Sequence, residues 1–115
     1  MLNTLNTGSY GKLIVTLDGD AKLAHGRVQG HYTLASTTVN GKRTWIHDRG
    51  SYAIWFDNIN NRWNVGPKEI RNWTGRSGLY STHYAVTPEE ATTWIYCKNE
   101  VWKSTSNIFG SLSMY

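Results

Sequence analysis

The chain has 115 residues, one cysteine and a formal net charge of +4. A chain of this length forms one domain that buries about two-thirds of its unfolded surface, so its core needs no metal or disulfide. Aromatic residues make up 13% of the sequence, charged residues only 17%, and glycine occurs 11 times. This composition favours strands and excludes coiled coils, helical bundles and disordered tails.

Turn residues divide the sequence into short segments rich in β-branched and aromatic residues, which is typical of antiparallel strands. Residues 1–12 are rich in Asn, Thr and Gly, and we predict either a loose N-terminal arm or a capping segment there. The strands predicted after it are Lys12–Leu17, Arg27–Leu34, Arg43–His47, Tyr52–Phe56, Arg62–Val65, Leu79–Tyr84, Thr92–Tyr96 and Val101–Lys103. We therefore predict an all-β fold over residues 1–115, a single domain of about seven or eight short antiparallel strands in a meander sandwich or small barrel.

Two connections carry specific local signals. Asn40-Gly41 suits a type I′ turn, because both central residues of that turn need positive φ, and it would pair Thr33–Val39 with Lys42–His47. Thr87 precedes a proline and two glutamates, which predicts a one-turn helix that begins with Thr87 as its cap.

Two pairs of tryptophans predict two further hairpins. Trp55 and Trp63 are separated by seven residues, as are Trp94 and Trp102. Hairpins folded about residues 59 and 98 would place the members of each pair opposite one another on one face. We accordingly predict that Trp55, Trp63 and Trp102, together with Trp45, belong to the core.

Six short motifs follow one another between Val28 and Trp102. They are Gly30-His31-Tyr32, Val39-Asn40-Gly41-Lys42 with Trp45, Tyr52-Ala53-Ile54-Trp55-Phe56, Trp63-Asn64-Val65-Gly66-Pro67, Gly78-Leu79-Tyr80, and Trp94 with Trp102. In this order they resemble a small Trp- and Gly-rich β module of uncharacterised invertebrate and protist proteins. The resemblance implies a fold unit over residues 28–102, with no assigned activity and no catalytic residues. The loop after Gly66-Pro67 is longer than in the module, and residues 1–27 lie outside it.

The sequence contains no familiar catalytic or metal-binding motif: no G-x-S-x-G, no H-E-x-x-H and no glycine-rich phosphate loop. His47 and Asp48 are adjacent, but neighbouring strand residues point to opposite faces, which argues against a catalytic dyad. His25 and His31 would lie about 20 Å apart along a strand, too far to share a metal ion. We predict a protein without catalytic activity, metal or cofactor.

Residues 62–76 concentrate the positive charge of the chain. This segment holds four basic residues and one acid, hence a net charge of +3, and two tryptophans. An exposed Trp beside Arg suits flat ligands, because a sugar ring or a base stacks on the indole while Arg binds polar groups. Trp63 is assigned to the core and Trp73, in a polar loop, to the ligand. The predicted ligand-binding residues are Trp73, Arg71, Asn72, Arg76, Arg62 and Lys68.

These features predict a non-catalytic recognition domain that is lectin-like and binds a glycan, either neutral or anionic. One alternative is a protein–protein interaction module that uses the same face. Another is an avidin-like barrel whose aromatic residues line an interior pocket for a small ligand. Nucleic acid is disfavoured because the basic residues are few and no recognition helix is visible. An open edge strand would allow a homodimer.

The sequence leaves the cellular compartment open. No apolar run approaches the roughly 18 residues of a membrane-spanning helix, and residues 1–20 lack the pattern of a signal peptide. The single Cys97 suits the cytoplasm, and it also suits a mature secreted domain without disulfides. Asn72-Trp73-Thr74 matches a glycosylation sequon, a pattern that is common by chance.

Overall fold

The computed structural model describes residues 11–70, 78–82, 84–106 and 108–109. Within them, eight antiparallel strands form one sheet in which each strand pairs with the next along the chain. The strands are β1 (Lys12–Val15), β2 (Gly30–Val39), β3 (Lys42–His47), β4 (Tyr52–Asp57), β5 (Arg62–Pro67), β6 (Leu79–Ser81), β7 (Thr93–Lys98) and β8 (Val101–Ser106). Residues 1–10 of the predicted arm lie outside the described part of the chain.

The sheet curls into a half-barrel, because the chain after β8 returns to β1. Phe109 forms an antiparallel bridge with Val15, and the backbone N–H of Thr16 donates to the carbonyl of Ile108 over 2.7 Å. The all-β prediction, with its meander of short antiparallel strands, is confirmed, and of the two arrangements predicted the curled sheet corresponds to the barrel.

The main core lies on the concave side of the sheet and consists largely of packed aromatic rings. The ring centroids of Trp45 and Trp63 lie 6.1 Å apart, and those of Phe56 and Trp63 lie 5.3 Å apart. The indole N–H of Trp63 donates to the carbonyl of Ala85 over 2.8 Å, which satisfies its polar group. Edge-to-face pairs of this kind add about 1 kcal/mol each beyond the area they bury. The predictions that Trp45 and Trp63 are core residues are confirmed, and Trp94 is also fully buried.

The predicted Trp–Trp pair across the β4–β5 hairpin is wrong. Trp63 lies opposite Phe56, and Trp55 lies opposite Asn64, because the turn consists of residues 58–61 and the hairpin folds between residues 59 and 60. A shift of one residue in register exchanges the two faces of a strand. Trp63 therefore belongs to the main core, whereas Trp55 is buried in a second, smaller cluster on the other face.

The predicted pair across the β7–β8 hairpin is wrong for the same reason. The turn has only two residues, so Trp102 lies opposite Cys97 and Trp94 lies opposite Thr105. Trp94 points into the core, and Trp102 lies on the outer face with 40% of its surface exposed. The prediction that Trp102 is a core residue is therefore also wrong.

Positive φ angles identify the two tightest turns. Asn40 and Gly41 have φ of 55° and 78°, and Val39 pairs with Lys42, which confirms the predicted hairpin. Asn99 and Glu100 have φ of 53° and 65° and join β7 to β8 in the same way. A glutamate at positive φ is strained, because its Cβ approaches the backbone.

One helix occurs where the sequence predicted turns. Helix α1 (Gly19–His25) covers one end of the sheet, which we call the helix end, and a 3₁₀ helix (Gly26–Val28) follows it, so that β2 begins at Gly30 rather than Arg27. Asp20 of α1 accepts hydrogen bonds from the ammonium groups of Lys98 and Lys103. A seven-residue helix is unstable alone, so these contacts with the sheet stabilise it.

Several other strands end at residues that differ from the predicted ones. β1 ends at Val15 and β6 ends at Ser81, earlier than predicted, whereas β8 continues to Ser106. The predicted one-turn helix is present as a 3₁₀ helix (Pro88–Glu90). Its Thr87 hydroxyl donates to the Glu89 carboxylate over 2.8 Å and does not cap the backbone.

We predict that Glu100→Gly stabilises the protein. Gly adopts φ of 65° without strain, and we expect a net gain of about 0.5–1 kcal/mol after the entropy cost of glycine in the unfolded chain. Chemical denaturation measures the free energy of unfolding. The matched control Gly41→Ala places a side chain at φ of 78° and should lower that free energy. A lower free energy of unfolding in Glu100→Gly, or no decrease in Gly41→Ala, would contradict the turn assignment.

We also predict that Asp20 stabilises the fold in a pH-dependent manner. Hydrogen bonds from Lys103 and Lys98 lower the pKa of Asp20 to about 2, from an ordinary value of 3.8. Because the folded-state pKa is lowered, this contribution is complete above the unfolded pKa and is lost as the pH falls through the folded one.

Thermal unfolding of the wild type and Asp20→Asn between pH 2 and pH 6 tests this expectation, since this range contains the ordinary pKa of 3.8 and reaches the folded-state pKa of about 2. The variant should have a lower Tm at pH 6, and the difference should shrink as the pH falls below the unfolded pKa. A difference that is constant over this range would show that the charge of Asp20 does not act through the two lysines.

Candidate functional site

The outer face of β5 to β8 carries a row of aromatic and cationic side chains. Alternation along β6 directs Leu79 and Ser81 into the protein and Tyr80 outward, and Arg62 and Trp102 lie on the same side. Trp102 is the most exposed of these three residues, whereas Arg62 and Tyr80 are half-buried. We call Arg62, Tyr80 and Trp102 the outer-face cluster.

The three side chains of the outer-face cluster contact one another in sequence. The guanidinium carbon of Arg62 lies 3.6 Å from the centroid of the Tyr80 ring. The Tyr80 and Trp102 ring centroids lie 5.3 Å apart, with 51° between the planes. A cation over an aromatic face is attracted by the ring quadrupole, and the arrangement holds Tyr80 between its two neighbours. The cluster therefore presents the Trp102 indole to solvent on a rigid support.

The β4–β5 turn positions Arg62. Asp57 is fully buried, and its carboxylate accepts hydrogen bonds from the backbone N–H groups of Ile59 and Asn60 over 2.9 and 3.2 Å. The same carboxylate lies 3.9 Å from Nε of Arg62. This Nε is buried and has no hydrogen-bond partner within the described residues. Asp57 thus links the turn to the guanidinium and offsets its charge.

The surroundings of Trp102 are mixed in polarity. Ile95 and Cys97 lie beside it on β7 and are half-buried, and Ser104 on β8 is exposed. A hydroxyl and an indole on one strand face offer a flat apolar surface with a hydrogen-bonding group near it. This combination suits a ligand that has one apolar face and a polar edge.

Two of the predicted ligand-binding residues, Arg62 and Lys68, belong to the described part of the chain, and they do not lie together. Arg62 begins β5, whereas Lys68 follows its end, so the two residues lie about 20 Å apart along the strand. The backbone N–H of Lys68 donates to the carbonyl of Ser51, and its ammonium group lies near Gly50, at the helix end. The other predicted ligand-binding residues, Arg71, Asn72, Trp73 and Arg76, lie outside the described part of the chain.

The sequence prediction missed Tyr80 and Trp102 as surface residues. The prediction folds the hairpin of Trp102 about residue 98, whereas the turn is centred between Asn99 and Glu100, and this shift moves Trp102 to the opposite face. The signal that could have found it is Asn99, which favours a two-residue turn because it tolerates positive φ. A turn of that length directs Trp94 inward and Trp102 outward.

His47 and Asp48, which are adjacent in the sequence, contact different residues. Nε2 of His47 lies 2.8 Å from the carbonyl of Gln29, which can only accept, and Nδ1 accepts from the Arg49 N–H over 3.0 Å. Asp48 accepts instead from the Thr33 hydroxyl over 2.6 Å, which lowers the pKa of its carboxyl. His47 and Asp48 therefore have separate partners. Within the described residues, no group of three His, Cys, Asp or Glu side chains could hold a metal ion.

The comparisons add no functional assignment. No protein-family model, curated protein or solved structure matches this chain. Among the helices of the described residues, none is long and apolar enough to cross a membrane.

Proposed function

We propose that this chain is a non-catalytic glycan-binding domain and that the outer-face cluster is its contact surface. The observation that carries the proposal is the half-exposed Trp102 indole, supported by Tyr80 and Arg62. An indole that a folded strand holds at the surface loses little conformational entropy on binding, which favours the use of its face for recognition.

The chemistry of a sugar suits this surface. One face of a pyranose ring carries C–H groups that pack against an indole, and its hydroxyls bind polar side chains at the edge of the ring. Tyr80 can donate or accept through its phenol, and the exposed Ser104 lies on the same face as Trp102. A single stacking residue supports weak binding, with a Kd of about 0.1–1 mM.

The charges of the cluster favour a neutral glycan. The carboxylate of Asp57 approaches Arg62 to 3.9 Å, so the pair has no net charge. The prediction of an anionic glycan depends on Arg71 and Arg76, which lie outside the described residues. Binding through the outer-face cluster alone should therefore depend weakly on salt.

A second candidate is a protein-interaction module on the same face, and the exposure of β8 favours it. β8 pairs only with β7 among the described strands, and its residues Val101 and Trp102 are exposed. A partner could add a strand to this edge while it buries the tryptophan, and Trp, Tyr and Arg are frequent anchors in protein interfaces.

The described interior lends little support to the avidin-like alternative. Trp45, Trp63 and Trp94 are at most 1% exposed, and the rings of the core contact one another. A cavity of about 740 Å³ at the helix end is lined by none of these tryptophans, and the cavity that Trp45 and Trp63 line is smaller, about 180 Å³.

The proposal predicts that Trp102→Ala weakens glycan binding about tenfold or more, which corresponds to about 1.4 kcal/mol. The measurement is a titration of the protein with neutral oligosaccharides, followed by NMR of the six tryptophan indole N–H signals. The signal of Trp102 should shift, and those of the buried tryptophans should remain unchanged.

Tyr84→Ala is the matched control, because Tyr84 is 43% exposed and contacts Phe56 outside the cluster. It should leave the Kd unchanged. Trp73→Ala tests the predicted basic loop in parallel. Loss of binding in Trp73→Ala but not in Trp102→Ala would exclude the cluster as the contact surface, and the absence of any shift with neutral and sulfated glycans would overturn the proposed function.

A further inference from the structure

A cleft of about 740 Å³ opens at the helix end of the sheet, and no residue of the outer-face cluster lines it. We call it the helix-end cleft. Its lining comes from α1 and the 3₁₀ helix after it (Lys22–Val28) and from Tyr52, Gly66, Pro67 and Gly78. Clefts of roughly 300–1,000 Å³ accommodate small organic ligands. The volume is therefore sufficient for a molecule with two fused rings or a short aliphatic chain.

The charged side chains that line the helix-end cleft are all cations. Lys22 and Arg27 line it, and no Asp or Glu does. All eight acids of the chain belong to the described residues, and the four ion pairs that the described residues form use only Asp20, Asp48 and Asp57. None of these pairs includes Lys22 or Arg27. No carboxylate therefore offsets these two cations through an ion pair.

A smaller cavity continues the positive surface. It has a volume of about 350 Å³ and is lined by Arg49, His47 and Ser51, together with Arg27 and Tyr52, which line both cavities. No described carboxylate pairs with Arg49. The helix end therefore has three unpaired cations around Tyr52. A guanidinium binds carboxylate, sulfonate and phosphate groups through two parallel hydrogen bonds, so Arg27 can act as the anchor for an anion.

Other described residues of the helix-end cleft contribute apolar surface and a histidine nitrogen. Val28 and Pro67 contribute apolar surface, and Leu23 is 78% exposed at its edge. Nε2 of His25 lies 2.7 Å from the carbonyl of Cys97, so it carries the proton and donates. Its Nδ1 faces Gly78 and can accept a hydrogen bond. An apolar surface beside unpaired cations suits a ligand that has an apolar part and an anionic group.

We propose that the helix-end cleft binds a small amphipathic anion, namely an apolar body with one carboxylate or sulfonate group. The anionic group pairs with Arg27, and Lys22 and Arg49 belong to the same positive surface. The apolar body packs against Tyr52 and Pro67. This site is separate from the outer-face cluster, so neither proposal depends on the other.

A fluorescence titration with anilinonaphthalene sulfonate tests the proposal, because this dye combines an aromatic body with one anionic group. The dye should saturate a single site, and Arg27→Gln should weaken its binding about tenfold, the loss expected for one charged hydrogen-bonded contact. Phenylnaphthylamine has the same aromatic body without the sulfonate, and Arg27→Gln should leave its binding unchanged. Arg27 is exposed, so this variant should fold.

Two controls separate this site from others. Arg43→Gln removes an equal charge from an exposed position near the opposite end of the sheet and should not affect the dye. Trp102→Ala should not affect it either, because the outer-face cluster is a different surface. In NMR spectra, the amide signals of Gly66 and Gly78 should shift on addition of the dye. Equal weakening by Arg43→Gln, binding without saturation, or unchanged glycine signals would each overturn the proposal.

Discussion

The lengths of the turns determine which aromatic side chains this protein buries. In a strand, adjacent residues point to opposite faces, so a turn that is longer or shorter by one residue exchanges the inner and outer sets of the next strand. The four-residue turn 58–61 directs Trp63 into the core, and the two-residue turn Asn99-Glu100 directs Trp102 outward. The same register that completes the core with Trp63 and Trp94 also creates the outer-face cluster. A binding surface can therefore arise here without any loop specialised for it.

A second constraint is the attachment of α1 by charge. Asp20 contacts Lys98 and Lys103, which are 78 and 83 residues away in the chain and belong to the last two strands. The phenol of Tyr96 also donates to this carboxylate, over 3.3 Å. These contacts hold a short helix across the end of the sheet, and the helix then forms one wall of the helix-end cleft. Because Asp20 is occupied by two lysines, it does not compensate Arg27 or Lys22. The contacts of Asp20 with the two lysines thus stabilise the helix end and also leave Arg27 and Lys22 without a carboxylate partner.

The sequence predicted those features that depend on local patterns. The strands follow from alternation and from turn residues, and Asn40-Gly41 specifies its hairpin because both residues adopt positive φ. Helix α1 was missed because its stabilising partners are distant in sequence, so no window of seven residues reveals them. Of the predicted site, Arg62 was identified by charge, but its contact with Tyr80 depends on the pairing of β5 with β6. Lys68 was grouped with Arg62 by closeness in sequence, although a strand separates them in space.

The two proposed sites differ in the kind of recognition that the fold supports. The outer-face cluster lies on a strand face, where the Arg62–Asp57 pair carries no net charge, so its selectivity must come from the shape of the indole and the hydroxyls around it. The helix-end cleft is concave and has unpaired cations, so its selectivity must come from charge and from the size of the apolar body. A ligand for one surface lacks the complementary features of the other. A glycan without acidic groups has no partner for Arg27, and a compact apolar anion gains little from a single exposed indole beside a neutralised arginine.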